Sequence, residues 1–383
     1  MTPLRIALIA EDYYPQLGGV PEHVHHLARE LDSLGHATTI VTSNMRNQGL
    51  GEPVQHADVR RIGTSLVIYA NGGVARITVG WRLTARFEAL FRQERFDIVH
   101  VHGGLNPTLG IVAPRAAWRV GIPVVATFHT WFPGSIGLRI LRRPFQRMLD
   151  RHAATIAVSN AAREAMARYF TAPWEIIPNG VDTTFFRPAL GPGGGGGGGG
   201  GAGKFEPHAP RLLWLGRIEP RNDLATVLAA MPRILERHPD AHLTVVGDGP
   251  WRSRMERAAR RLGPSVHFAG YANGGRPGYY RSADVYLCPT TRASFGVTLL
   301  EAMACGTPLV VSDIPAFRDL ASPAHAIFAP PGDPDAWGQA VNALIDDTER
   351  REMMAQEGRR VAERHAWPLV AQRVLAVYRR VTG

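Results

Sequence analysis

The residues best suited to chemistry lie in one run, residues 288–312, which reads CPTTRASFGVTLLEAMACGTPLVVS. Ser294 stands where a helix N-cap is expected, with small or flexible residues after it and Glu301 on the helix that follows. The first N–H groups of a helix have no partner within it, and its dipole is positive there, so the turn can hold an anion. Glu301, one to two turns further in, offers a carboxylate that accepts two hydroxyl hydrogen bonds, the pattern a ribose diol supplies. The plain alternative is an amphipathic helix with one exposed glutamate, and the residues alone leave both readings open.

Histidines form a second set: His23, His25 and His26, then His100 and His102. His100 and His102 are two apart on a strand and face one side. Two ligands are too few for a structural zinc, and no cysteine or acid nearby completes a set. The helix carrying His23 and His26 turns its other face to the core, so solvated or hydrogen-bonded histidines are expected, with no metal. The basic run 139–152, RILRRPFQRMLDRH, sets five arginines around Ile140, Leu141, Phe145, Met148 and Leu149. It reads either as an interfacial helix meeting anionic lipid or as a solvated face over a buried stripe, with the proline weakening the helix.

These residues need elements to position them. LRIALIA (4–10) reads as a buried parallel strand, and Gly18-Gly19 as the turn into a helix from about Pro21 to Leu34. A strand at 38–43 follows. The alternation continues with strands at 97–102, 123–129, 153–158 and 174–180, and helices near 80–92 and 107–119. Residues 191–203, GPGGGGGGGGGAG, bury nothing and read as a flexible linker. The alternation then restarts, with strands at 211–217, 243–247, 266–270, 284–290, 308–312 and 326–329 and helices between them. Strands alternating with helices predict an α/β fold of two doubly wound parallel-sheet, Rossmann-like domains. The expected boundaries are 1–188, a linker 189–208, 209–366, and a last amphipathic helix 367–383 able to pack on either domain.

Composition limits the function. At about 150 residues per domain, 383 residues suggest two domains. Two cysteines, Cys288 and Cys305, exclude a disulfide scaffold and any four-cysteine zinc site, and they fit a reducing compartment. The net charge of +10 favours anionic partners, whether nucleic acid, phosphorylated substrate or anionic lipid. The nucleic-acid reading ranks last, because no reader motif or aromatic-interleaved basic patch occurs. The apolar run at the start is short and meets Glu11 and Asp12 at once, unlike a signal peptide, and no stretch has the length of a membrane span. The expected location is cytoplasmic, soluble or peripheral on the inner face of the membrane.

Seven segments in order carry a resemblance: EDYYPQLGGVPEHVHHLARELDSLGH, VVATFHT, AVSNAAREA, IIPNGVD, LWLGRIEPRNDL, LTVVGDGP and SFGVTLLEAMACGTPLVVSD. Together the chain resembles the retaining glycosyltransferases of the GT-B fold, glycosyltransferase family 4, which includes phosphatidylinositol mannosyltransferases and other bacterial hexosyltransferases. The resemblance implies two domains facing across a cleft and a nucleotide diphosphate sugar as substrate, with no cofactor and no protein-bound metal. It places Gly18 and Gly19 in the loop that approaches the diphosphate, His129 as the active-site histidine at a strand end, and Arg217 on the diphosphate. Ser294, Phe295, Gly296, Val297 and Thr298 match the turn whose amides meet phosphate and sugar, and Glu301 the ribose-binding acid.

Two positions depart from the family pattern. The first glutamate of its acid pair falls on Ala293, and the lysine that accompanies Arg217 falls on Asn222, with Arg221 beside it able to reach a phosphate. The expected function is retaining transfer of a hexosyl group, mannosyl or glucosyl in kind, to a lipid, glycan or small-molecule acceptor. The alternative, prompted by Ala293 and Asn222, is a non-catalytic nucleotide-sugar-binding protein of the same fold.

Overall fold

The computed structural model describes residues 2–16, 18–45, 58–70, 73–188, 209–272 and 274–383; the expected linker 189–208 lies outside them. The chain divides into two compact units. One comprises residues 1–179 and 367–383, the other residues 180–366. The division thus falls after Asn179, ahead of the expected 188. The reason is local: Val181 bridges Ala366, and the Arg359 guanidinium donates to the carbonyls of Thr183, Phe186 and Ala304, which ties 181–186 to the second unit.

The first unit is built on eight strands: β1 (Arg5–Ala10), β2 (Ala37–Asn44), β3 (Val59–Ala70), β4 (Gly73–Val79), β5 (Ile98–His102), β6 (Val124–Phe128), β7 (Ala154–Ala157) and β8 (Trp174–Ile176). Their order is β4-β3-β2-β1-β5-β6-β7-β8, parallel except for β4, which runs antiparallel on the edge. β1 and β6 are apolar runs, and β5 is buried along its length despite two histidines, because helices cover both faces of the sheet. The β3–β4 hairpin was not expected. Its strands carry Arg60, Arg61, Thr64 and Ser65 and leave Leu66 and Val67 half exposed, so they lack the continuous apolar run that marks the central strands.

The helix Gly19–Ser33 lays His23, Val24, Leu27, Ala28 and Leu31 on the sheet. The last helix, Trp367–Thr382, packs beside it, and Trp367, Val370, Val374 and Tyr378 join the same core. Each such large apolar side chain contributes about 1.5–3 kcal/mol on burial, so this helix is an integral part of the first unit. The basic run forms two short helices, Ile136–Ile140 and Arg142–Leu149, broken at Leu141. Met148 and Leu149 are buried, but Ile136, Ile140 and Leu141 are exposed, so the expected buried stripe covers only the second helix.

The second unit is a six-stranded parallel sheet: β9 (Arg211–Leu215), β10 (His242–Val246), β11 (Val266–Gly270), β12 (Val285–Cys288), β13 (Leu309–Ser312) and β14 (Ala326–Ala329). Its order is β11-β10-β9-β12-β13-β14. Trp214, Met231, Ile234, Leu243, Val285 and Trp337 fill its main core between the helices Leu224–Arg237 and Pro334–Asp346.

Both sheets reverse strand order once, the first between β1 and β5 and the second between β9 and β12. Ligands of open α/β sheets bind beyond the carboxyl ends of the strands at such a reversal. These two edges are therefore where the chemistry belongs. Among the described residues no helix is long and apolar enough to cross a membrane.

Candidate functional site

In the first unit the register sets the site. Ala10 pairs with His102, and His102 pairs with Thr127, so the ends of β1, β5 and β6 lie level. Glu11 and Asp12 leave β1 there, His102 ends β5, and His129 follows β6. The chain turns immediately after His102 through Gly103 and Gly104, both with positive φ, and a Cβ on Gly104 would lie 2.1 Å from the Phe128 ring. Glycine is required at 104 because Phe128, next to His129, packs on the backbone there.

His129 does not stand alone. Its Nε2 lies 3.1 Å from Nδ1 of His102, and His23 lies edge-on to its ring. His23 Nδ1 donates to Oδ1 of Asn179 at 2.8 Å. One ring nitrogen from each of His23, His102 and His129 lies within 4.8 Å of the others, so these three are the residues that could hold a metal. His100 is satisfied separately, by the Tyr378 hydroxyl at 2.6 Å and the Thr127 hydroxyl at 2.7 Å. Of the two kinds expected, solvated or hydrogen-bonded, His23, His100 and His102 are of the hydrogen-bonded kind, all buried, and His23 lies on the core face of its helix rather than opposite it. His25, also buried, bonds the Tyr13 hydroxyl at 2.8 Å, while His26 stacks on Trp367. Burial lowers the pKa of His23 to about 4 and of His100 to about 3, and pushes those of His102 and His129 well below the usual imidazole value. The cluster is neutral at physiological pH.

Two acids of this edge escaped the sequence reading. Glu11 accepts from the backbone N–H groups of Thr108 and Leu109, at 3.1 and 2.9 Å, and from the Thr78 hydroxyl. It thereby caps the helix Leu109–Arg119. Asp12 lies 3.7 Å from the Arg76 guanidinium. Burial raises the pKa of both carboxyls, opposed by those hydrogen bonds at Glu11 and by Arg76 at Asp12. The usable signal was position, since both acids directly follow the central strand.

Gly18 is the residue before the helix Gly19–Ser33, with extended backbone, and a Cβ on Gly19 would meet no atom within 4 Å. The described fold does not itself require glycine at 19.

In the second unit the loops after β9 and β12 meet at the strand-order reversal. Thr291 N–H donates to the Arg221 carbonyl at 2.8 Å, and the Thr290 hydroxyl to Asn222 Oδ1 at 3.4 Å. The Asn222 amide also donates to the Arg217 carbonyl at 2.8 Å. Asn222 is thus a brace that ties the two loops. Arg217 and Arg221 are exposed and share the carboxylate of Glu219, an acid not singled out in the sequence. A Cβ on Gly247, after β10, would lie 1.9 Å from the Gly216 carbonyl, so glycine there lets the neighbouring strand ends close.

The helix after β12 spans Val297–Ala304, and its cap position is Gly296. The expected cap at Ser294 is corrected by two residues. The Gly296 carbonyl accepts from Leu299 and Leu300, and Leu320, Leu299 and Phe317 crowd Gly296 within 3.2–3.4 Å of a would-be Cβ, which fixes the helix start. Phe295 is buried, while Ser294, Val297 and Thr298 are half-buried. Glu301 is buried, which removes the exposed-glutamate reading. Its oxygens accept from Arg276 Nη1 at 2.8 Å and the Tyr280 hydroxyl at 2.9 Å. Arg276 in turn lies over the Phe186 ring.

Residues 17–185 match the family model Glycosyltransferase Family 4, and residues 203–361 match Glycosyl transferases group 1. Phosphatidyl-myo-inositol mannosyltransferase of Mycobacterium tuberculosis is 30% identical, with 99% of this chain and 98% of that protein covered. D-inositol 3-phosphate glycosyltransferase of Kribbella flavida is 30% identical over 95% of this chain and 91% of its own. Among solved structures, sucrose-phosphate synthase from Thermosynechococcus elongatus superposes with a TM-score of 0.76 at 20% identity, covering 99% of both chains. Anabaena HepE in complex with UDP-glucose gives 0.73 at 17% identity, covering 98% of this chain and all of that one. Two parallel α/β units, the matches to both halves and the chain-long relatives lead to one conclusion: the chain is an enzyme belonging to the GT-B-fold glycosyltransferases of family 4.

Proposed function

We propose that the chain is a retaining transferase that moves a hexosyl group, mannosyl or glucosyl, from a nucleotide diphosphate sugar to a lipid, glycan or small-molecule acceptor. The observation that carries this reading is the convergence of Arg217, Arg221 and the start of the helix Val297–Ala304 at the strand-order reversal of the second unit. Two guanidiniums and the unpaired amides of a first helical turn suit a diphosphate. Glu301 is the ribose acceptor. Its carboxylate is held by Arg276 and Tyr280, and a carboxylate accepts hydroxyl hydrogen bonds such as a diol donates. The resemblance also assigns Gly18 and Gly19 to donor binding, and a Cβ at Gly19 would meet no atom within 4 Å.

The sugar leaves and the acceptor attacks on the same face. Arg217, Arg221 and the amides of 296–298 stabilise the departing charge. His129, held neutral by burial, orients the transferred sugar and the acceptor hydroxyl through an imidazole that both accepts and donates. Exclusion of water protects the sugar from hydrolysis.

The likeness to relatives named for phosphoinositide and inositol phosphate acceptors supports an anionic, lipid or inositol-type acceptor. A cytoplasmic enzyme peripheral on the inner face of the membrane fits that acceptor. The exposed Ile136, Ile140 and Leu141 beside Arg139, Arg142, Arg143 and Arg147 form the surface for it.

A thermal-shift panel of nucleotide sugars tests the reading. The true sugar donor at 100 times its dissociation constant stabilises by about 2.7 kcal/mol, and that compound should then yield free sugar slowly without acceptor. A panel with no stabilising nucleotide sugar would overturn it.

A further inference from the structure

Among the histidines at the edge of the first sheet, His102 has one hydrogen-bonding neighbour, and that neighbour is His129. We infer that His102 is a positioning residue for the transfer: its Nδ1–H donates to Nε2 of His129, which fixes His129 as the tautomer that carries its proton on Nδ1 and presents that N–H to the substrate. The inference rests on the role given to His129 above and deepens it.

Strand register makes the pair. His102 ends β5 opposite Thr127, two residues before His129, and residues two apart on an extended chain face one side. Nδ1 of His102 lies 3.1 Å from Nε2 of His129, with the rings inclined by 29°. The backbone around them is tied, since Gly103 N–H donates to the Thr127 carbonyl at 2.8 Å. The rings of His100 and His23 pack on His102, with centroids 4.2 and 5.2 Å away. Nδ1 of His129 is the nitrogen left for a substrate, and that residue is half-buried where His102 is buried.

Burial keeps both imidazoles neutral, so each holds one proton and the contact between them has two arrangements. If His102 donates from Nδ1, its Nε2 is a bare lone pair, and His129 carries its proton on Nδ1. If His129 donates from Nε2, His102 must hold its own proton on Nε2, and His129 turns a lone pair to the substrate. Nε2 of His102 decides between them. Among the described residues it is buried without a hydrogen-bond partner. A buried N–H with nothing to accept it is rarer in proteins than an unpaired acceptor, which selects the first arrangement. His23 brings no proton to that nitrogen, because its own is directed to Asn179 Oδ1. His100 shows the contrast: the hydroxyls of Tyr378 and Thr127 at its two nitrogens can each donate or accept, so nothing forces its tautomer. His129 therefore meets a sugar or acceptor oxygen as a hydrogen-bond donor and does not take up the acceptor's proton.

The test reads the tautomer directly. Nitrogen NMR of the full chain with isotope-labelled histidine, at neutral pH and without substrate, should show the proton of His129 on Nδ1 and its Nε2 bare; His129→Gln assigns the signals. His102→Leu removes the donor. The proton of His129 should then move at least partly to Nε2, and turnover should fall at least about tenfold while donor affinity changes less than about threefold. His102→Asn, whose amide can donate from the place of Nδ1, should keep the tautomer and most of the turnover, which a loss of packing alone does not explain. Circular dichroism confirms that each variant folds; should His102→Leu fail to fold, the parent spectrum decides. A proton on Nε2 of His129 in the parent chain overturns the proposal, as does His102→Leu with the parent's tautomer or the parent's turnover. The spectrum needs no sugar. The expected tautomer in a chain that transfers from no nucleotide sugar would support the proton placement and count against the proposed function itself.

Discussion

Glu301 shows why a residue's type does not fix its role. The sequence presents it as a carboxylate for a ribose, yet Arg276 and Tyr280 already hold it in the protein. Both roles are compatible, and mutations separate them. Glu301→Ala should weaken sugar-donor binding more than tenfold, because hydrogen bonds to a charged acceptor contribute about 1.5–3 kcal/mol each. It should also lower the melting temperature, since Arg276 and Tyr280 lose their acceptor. Arg276→Met should lower the melting temperature but keep most of the donor affinity. Calorimetric titration with the donor decides, and unchanged affinity in Glu301→Ala would leave that residue a purely structural one. His129 calls for a different readout. His129→Ala should reduce turnover far more than donor affinity, the mark of a group acting mainly in the transition state. Equal losses would make it a binding residue. Asn222 is a structural solution as well as a departure from the family, because a lysine there would forfeit the amide that ties Arg217 to Thr290.

At the scale of elements, the two short helices Ile136–Ile140 and Arg142–Leu149 set exposed apolar residues beside a cluster of arginines. They expose Ile136, Ile140 and Leu141, and Arg142, Arg143, Gln146, Arg147 and Thr171 line a hollow of about 530 Å³. Each basic residue near an anionic surface contributes about 1 kcal/mol. Arg143→Glu with Arg147→Glu should therefore weaken sedimentation with anionic vesicles at least about 30-fold and leave neutral vesicles unaffected. Equal binding to both vesicle types in the parent chain would mean that the surface serves another purpose. The elements also show what the sequence could reveal. Strands such as RLLWL and VVATF were legible because burial on both faces demands unbroken apolar runs. The hairpin Val59–Val79 was not, because an edge needs no such run. The helix start at Gly296 depends on Leu320 and Phe317, which a scan for capping residues does not weigh. The histidine cluster was least legible. His102 meets His129 through strand register, and His23 meets Asn179 across a separation of 156 residues.

At the scale of the molecule, ionisable groups are unevenly divided. The first unit holds His23, His100, His102 and His129, buried or half-buried and all with lowered pKa values, and also His152 at about 4. Among the described residues of the second, His325 is of this kind. A histidine kept neutral by folding adds stability that is complete above its unfolded value of 6.5. That stability is lost as pH falls toward the folded value, because the unfolded chain takes up the proton first. Between pH 7 and 5 His23, His100 and His152 should each withdraw about 2 kcal/mol, and His102 and His129 act in the same direction. Glu11 and Asp12 act in the opposite sense. Their raised pKa values favour the folded state once they are protonated, but only these two groups do so. Calorimetric melting with chelator present should therefore show one transition moving down steeply from pH 7 to 5 while another stays nearly fixed, separating the two units. His100→Asn should flatten the steep transition even as it lowers the melting temperature at pH 7, because one of the protons taken up on unfolding is gone. Two transitions that fall in parallel, or a single one insensitive to pH, would show that the buried imidazoles titrate in the folded protein much as they do in the unfolded chain.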